Sequence, residues 1–242
     1  MRQQRLLRIT RLLGQEKTDR LGRMHVAVVG LGAVGGFCLE ALARSGVGEF
    51  TLVDFDTFSP SNLNRQILAL QSTLGRSKAQ VAAERLRDIG DDMVVHVIDE
   101  AVSEKNVQMI VEGKSLVVDA IDSVDAKCLL LKTCVEKNIP VVSSMGAALR
   151  TDISRIRIAD LMDTKGCPLA KQVRTRLRHE GIGKGIEVVF SDEEPAQNAP
   201  ATEQEIEESG DGTLRKVLGS MPTVTGMFGL TLAHLALGKL IS

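Results

Sequence analysis

At 242 residues the chain is too long for a small domain, yet one large α/β unit with appendages reaches this size without a second core. Its 43% apolar and 25% charged residues are ordinary globular usage, and with no Trp or Tyr the core is aliphatic, which largely excludes stacking of nucleobases on an aromatic platform. A net charge of −1 supplies no whole-molecule field for nucleic acid, so any RNA contact has to come from a local basic face. The opening MRQQRLLRIT has no apolar stretch of the secretory kind, and residues 1–22 read as a helical arm. Residues 26–29 form a short aliphatic run that stops at a glycine cluster, after which 37–44 read as a helix ending before Gly46 and Gly48. The alternation continues with strands at 50–53, 94–98, 115–120 and 140–143 and helices at 77–89, 104–111 and 125–137. It predicts an α/β fold, a doubly wound, Rossmann-like, mostly parallel sheet covered on both faces.

After Gly146 the pattern changes. Ile153, Ile156 and Ile158 alternate with polar residues as in a half-exposed strand, which predicts an antiparallel C-terminal extension, followed by a helix at 168–179 and a strand at 186–190. Residues 192–212 hold acids, Pro, Ala and Gln but no Lys or Arg, and predict a flexible acidic loop. The apolar tail 221–241 approaches the length of a membrane span, but Thr223, Thr225, His234 and several glycines favour a buried or dimer-interface helix, and no membrane association is expected. The layout is one domain over 1–242: the arm, a nucleotide-binding core at 23–150 and an extension at 151–242.

GLGAVG, with glycines at 30, 32 and 35, lies between a strand and a helix. In that context the first glycine permits the tight turn, the second lets the backbone approach a phosphate, and the third allows close helix packing at a helix N-terminus that favours anions. Asp54 ends the next strand about 20 residues on, where a carboxylate can accept both ribose hydroxyls. To this point a nicotinamide dehydrogenase fits equally well. The next segment does not suit one, because Arg65 and Lys78 flank a loop leading into a helix, an arrangement that suits a triphosphate whose β and γ groups need neutralising. In DAIDS, Asp119 closes a strand and Asp122 follows at the carboxyl edge, a position for a carboxylate holding Mg²⁺ between phosphates, although helix capping explains Ser123 or Asp125 better. Cys38, Cys128, Cys134 and Cys167 form no CxxC pair, which suits a reducing cytosol, and His25, His96, His179 and His234 form no cluster and read as structural or solvated.

GLGAVG, LVDFD, SNLNRQ with Lys78 beyond it, and DAIDS together resemble the adenylation domain of the ubiquitin-activating-enzyme (ThiF/MoeB-like) superfamily. The resemblance implies that ATP and Mg²⁺ are bound, with Gly30, Gly32 and Gly35 in the phosphate turn, Asp54 on the ribose, Asn62 near the nucleotide, Arg65 and Lys78 on the phosphates, and Asp122 on the metal. It also implies a homodimer with an N-terminal arginine reaching across; Arg8 fits best, with Arg5 and Arg11 next. ALARSGVGEFTLVDFD, LGRSKAQ, IADLMDTKGCPLAKQVRTRLR and GSMPTVTGMFGLTLAHLALGK are similar to the tRNA threonylcarbamoyladenosine dehydratases, over nearly the whole chain. That branch implies a cytoplasmic enzyme that adenylylates the threonine carboxylate of a tRNA base and closes a ring with loss of water. It also leaves room for a sulfur-relay protein partner. The alternative branch adenylylates the C-terminal carboxylate of a ubiquitin-like sulfur carrier, and its members usually carry a zinc on paired CxxC motifs, which this chain lacks. The helix at 168–179 places Lys171, Arg174 and Arg178 on one face and Leu169, Val173 and Leu177 on the other, a cationic face suited to a tRNA backbone.

Overall fold

The structure is a computed structural model that describes residues 2–197, 206–208 and 214–242. Seven strands form one sheet in the order β3-β2-β1-β4-β5-β7-β6. β1 (His25–Val29), β2 (Glu49–Val53), β3 (Val94–Ile98), β4 (Leu116–Asp119), β5 (Val141–Ser144) and β7 (Glu187–Ser191) run parallel, and β6 (Ile156–Asp160) is antiparallel on the edge. The predicted α/β architecture with an antiparallel extension is therefore what the chain forms. Val26 and Val28 face one layer while Ala27 and Val29 face the other, all buried, which is why these strands read as unbroken aliphatic runs.

On the first face lie α3 (Gly35–Ser45), α4 (Lys78–Ile89) and α8 (Pro222–Ile241); on the second lie α5 (Val107–Val111), α6 (Val124–Glu136) and α7 (Pro168–His179). α8 is long and apolar enough to cross a membrane, but half of it is buried. Val224, Phe228, Leu232, Ala236 and Leu240 recur at helical spacing toward the core. Gly229 lets α8 press on α3, since a Cβ there would come within 2.4 Å of the Val34 carbonyl oxygen. Core packing thus accounts for the buried face of this helix, while Met227 and Leu230 remain exposed on the other.

The arm consists of α1 (Arg2–Leu13) and α2 (Gln15–Leu21). Arg2 Nη1 reaches Asp92 Oδ2 at 2.6 Å, and Arg5 donates to both Asp92 oxygens at 2.8 and 2.9 Å and to the Ala43 carbonyl at 2.9 Å. Leu6 is buried beneath them. Arg5 is thereby committed within its own chain, whereas Arg8 and Arg11 are exposed.

Some boundaries differ from the sequence expectation. α5 starts at Val107 instead of 104 because Asn106 folds the preceding residues into a turn, accepting from Ser103 N at 2.9 Å and donating to the Ala101 carbonyl at 2.9 Å. Ile153 sits in a single 3-10 turn capped by Asp152, so β6 begins at Ile156. Within the acidic stretch, β8 (Ile206–Glu208) pairs antiparallel with β9 (Leu214–Lys216); 198–205 and 209–213 lie outside the described residues, and with them most of the expected flexible loop. The histidines require a correction: His25 and His96 do meet, with ring centroids 5.3 Å apart, because β1, β2 and β3 are adjacent.

Candidate nucleotide site

At the carboxyl ends of the strands a cavity of about 930 Å³ opens, large enough for a nucleotide with part of a second substrate. Gly30, Gly32, Asp54, Arg65, Lys78 and Asp122 all line it, so six of the sequence-predicted residues converge. Gly30 adopts φ +89°, which a side chain rarely tolerates, and its amide donates to the Val53 carbonyl at 2.9 Å. Gly35 does not line the cavity. A Cβ on it would stand 1.8 Å from the Gly30 carbonyl oxygen, so it is small to let α3 close on the turn and aim its N-terminus at the cavity.

Asp54 is almost fully buried at the end of β2. Its Oδ2 accepts from Leu31 N at 2.6 Å and its Oδ1 from Asp56 N at 2.9 Å, which pins the glycine turn to β2. Burial pushes the carboxyl above its ordinary value, opposed by the Lys78 ammonium and by these two N–H groups. Each oxygen keeps a further lone pair for a ligand hydroxyl. Lys78, at the start of α4 and 6% exposed, is ion-paired with Asp56 at 3.0 Å, a surrounding that fixes the ammonium at the rim. Arg65, which lines the cavity, is held through Nη1 by the Ser61 carbonyl at 2.8 Å and Asn64 Oδ1 at 2.9 Å.

Asn62 is buried away from the lining and serves the loop: its Oδ1 accepts from Ser59 N at 3.2 Å, closing the 3-10 turn that presents Arg65. Asp119 is fully buried and accepts from Lys127 Nζ at 2.5 Å, Ser143 Oγ at 2.5 Å and Ile121 N at 3.0 Å. It is therefore a scaffold for the β4–α6 loop, and of the two acids in DAIDS only Asp122 reaches the cavity. Lys127 was missed by the sequence reading, although its place in the Lys127, Leu131, Cys134 stripe of α6 marks a cation on an apolar face. Gln66 was missed as well; it lines the cavity, and its Oε1 is buried without a partner.

Of α7, Leu169 and Gln172 line the cavity wall. Lys171 and Arg178 are exposed, whereas Arg174 is partly buried and donates to the Thr164 carbonyl at 2.9 Å and to Thr164 Oγ1 at 2.5 Å, because the turn before α7 needs a donor. The structure therefore splits the predicted trio into two open cations and one engaged in the fold. All four cysteines are buried. Burial pushes the Cys128 thiol up to about 11 and Cys134 to about 12, which leaves them without thiolate at neutral pH. Cys167 caps α7, accepting from Ala170 N.

Fold and cavity define a doubly wound α/β nucleotide-binding protein in which a glycine turn faces two fixed cations and an edge carboxylate. More particularly, the chain belongs to the ThiF family, whose model matches residues 3–242. It is 40% identical over 227 residues to the tRNA threonylcarbamoyladenosine dehydratase of Bacillus subtilis, covering 93% of this chain and 88% of that one. Crystal structures of the Escherichia coli tRNA N6-threonylcarbamoyladenosine dehydratase in complex with AMP and with ATP superpose with TM-scores of 0.88 and 0.87 at 36% identity, covering 98% of this chain and 94% of each of those.

Proposed function

We propose that this chain is an ATP-dependent dehydratase that cyclises threonylcarbamoyladenosine in tRNA through a carboxylate adenylate. The carrying observation is the reach of the likeness. A nucleotide cavity alone would serve any adenylating relative, but the similarity to dehydratases runs through the extension that contains α7 and α8. The complexes of the Escherichia coli relative with ATP and with AMP correspond to the first reactant and the last leaving group of such a sequence.

In this reading the turn at Gly30 and Gly32 receives the phosphates and Asp54 the ribose. Arg65 and Lys78 neutralise the β and γ groups. One carboxylate at an open edge fits Mg²⁺, which Asp122 would hold; when bound it would supply charge neutralisation. The threonine carboxylate oxygen bonds to the α-phosphorus and pyrophosphate departs. An atom of the same side group then attacks the acyl carbon, and AMP leaves with the carboxylate oxygen, so the net loss is one water. Ring closure draws on high effective concentration and needs no enzyme thiol, in keeping with four buried cysteines. Lys171 and Arg178 meet the tRNA backbone beside the cavity wall that α7 forms. Arg8, exposed on the docked arm, acts on the phosphates of a partner subunit in a homodimer.

Pyrophosphate exchange with modified tRNA, and separately with a carrier protein ending in Gly-Gly, tests the acceptor. Exchange with the tRNA is expected, and exchange with the carrier alone would transfer the chain to the carrier-activating branch. Mixing Arg8→Ala with Asp122→Ala protomers is expected to restore part of the activity; failure to complement would remove Arg8 from a site in trans.

A further inference from the structure

We propose that His25, Glu49 and His96 form a second site, for a borderline divalent metal ion of the zinc class, at the opposite edge of the sheet from the nucleotide. Each residue comes from a different strand, and the parallel register brings them together. His25 is the Cα partner of Glu49, and His96 that of Thr51, two residues further along the same strand and so on the same face.

One donor atom from each residue lies within 4.8 Å of the others. Glu49 Oε1 is 3.2 Å from His25 Nδ1 and 2.8 Å from His96 Nε2. Tetrahedral zinc with bonds of about 2.0–2.1 Å sets its ligands roughly 3.3 Å apart, so the His25–Glu49 pair already stands at the right spacing and a slight opening of the Glu49–His96 pair seats an ion. The far nitrogen of His25 is already occupied, since Nε2 lies 2.8 Å from Thr51 Oγ1. An outer hydrogen bond that fixes the tautomer is the usual accompaniment of a metal-ligating histidine.

Two imidazoles and one carboxylate suit zinc over magnesium or calcium, and three protein ligands leave a fourth position for water. Lys114 is the opposing charge. It is anchored to the Glu112 carbonyl at 2.9 Å and lies close enough to Glu49 to interact with it, which weakens binding of a cation there. The strands separate this cluster from Gly30 by five residues, roughly 16 Å at about 3.3 Å per residue, so the ion would clamp β1, β2 and β3 without touching ATP.

The test titrates metal-depleted, untagged protein with Zn²⁺ alone by calorimetry and follows Co²⁺ by its visible absorption. One equivalent with micromolar affinity and a tetrahedral cobalt spectrum are expected, together with a Zn²⁺-dependent rise in Tm. His96→Gln and Glu49→Gln should each weaken binding by about tenfold or more and abolish the rise in Tm, while ATP affinity stays unchanged. His96 is half exposed, so its replacement leaves the core intact. Absence of saturable binding would overturn the proposal, and so would binding that survives His96→Gln, which would place the ion at other ligands.

Discussion

Replacing Lys127 by Met isolates the part of the site that stands behind the cavity. The ammonium is fully buried and donates to Asp119 Oδ2 at 2.5 Å, to Ser143 Oγ at 3.3 Å and to the Ser144 carbonyl at 3.0 Å. Removing it leaves a carboxylate with no solvent and only two hydrogen-bond donors, Ser143 Oγ and Ile121 N. Breaking a buried pair by removing one partner typically costs about 3–5 kcal/mol, because the remaining charge is left without compensation. Urea unfolding of wild type and Lys127→Met at pH 7 measures the loss. A loss under about 1 kcal/mol would show that the pair is not what holds the β4–α6 loop.

Lys78→Ala is expected to lower the pyrophosphate-exchange rate by about a hundredfold to a thousandfold, as for loss of a positioned charge in other sites; an unchanged rate would take Lys78 away from the phosphates. Reversing charge with Lys171→Glu and Arg178→Glu should weaken tRNA binding and make the slope of log K against log salt shallower by roughly 1.5 for two lost contacts, with ATP affinity unaltered. Burial pushes Asp92 upward, but hydrogen bonds from Arg2 and Arg5 outweigh it and hold the carboxyl below its ordinary value. Its contribution to arm docking is thus complete above the unfolded value of about 3.9 and is lost as pH falls through the lower folded value. Asp92→Asn should mimic this at neutral pH, seen as faster amide exchange in residues 2–13; unchanged exchange would mean that Leu6 alone secures the arm.

The sheet and most helices were legible because each rests on local signals: aliphatic runs for parallel strands, helical stripes, and glycines where a turn needs them. Residues 168–179 were read as a helix with their bounds intact because Pro168 opens it and its apolar stripe is regular. The cavity was legible for a related reason, since Gly30, Asp54 and Asp122 sit just beyond strand ends, where the doubly wound fold makes its crevice, and Lys78 opens the helix that follows the loop. What escaped depends on partners distant in sequence. Nothing near Lys127 announces Ser143, nothing near Arg174 announces Thr164, and His25 lies 71 positions before His96, joined to it only by strand order. Asn62 was placed with the nucleotide by its motif, whereas its side chain closes the turn beneath Arg65.

The most direct test is to incubate the protein with ATP, Mg²⁺ and tRNA bearing threonylcarbamoyladenosine, then digest the tRNA and weigh its nucleosides. A modified nucleoside lighter by one water is expected, formed together with an equal amount of AMP. Protein that binds ATP normally yet leaves that nucleoside at its original mass would contradict the proposed cyclisation.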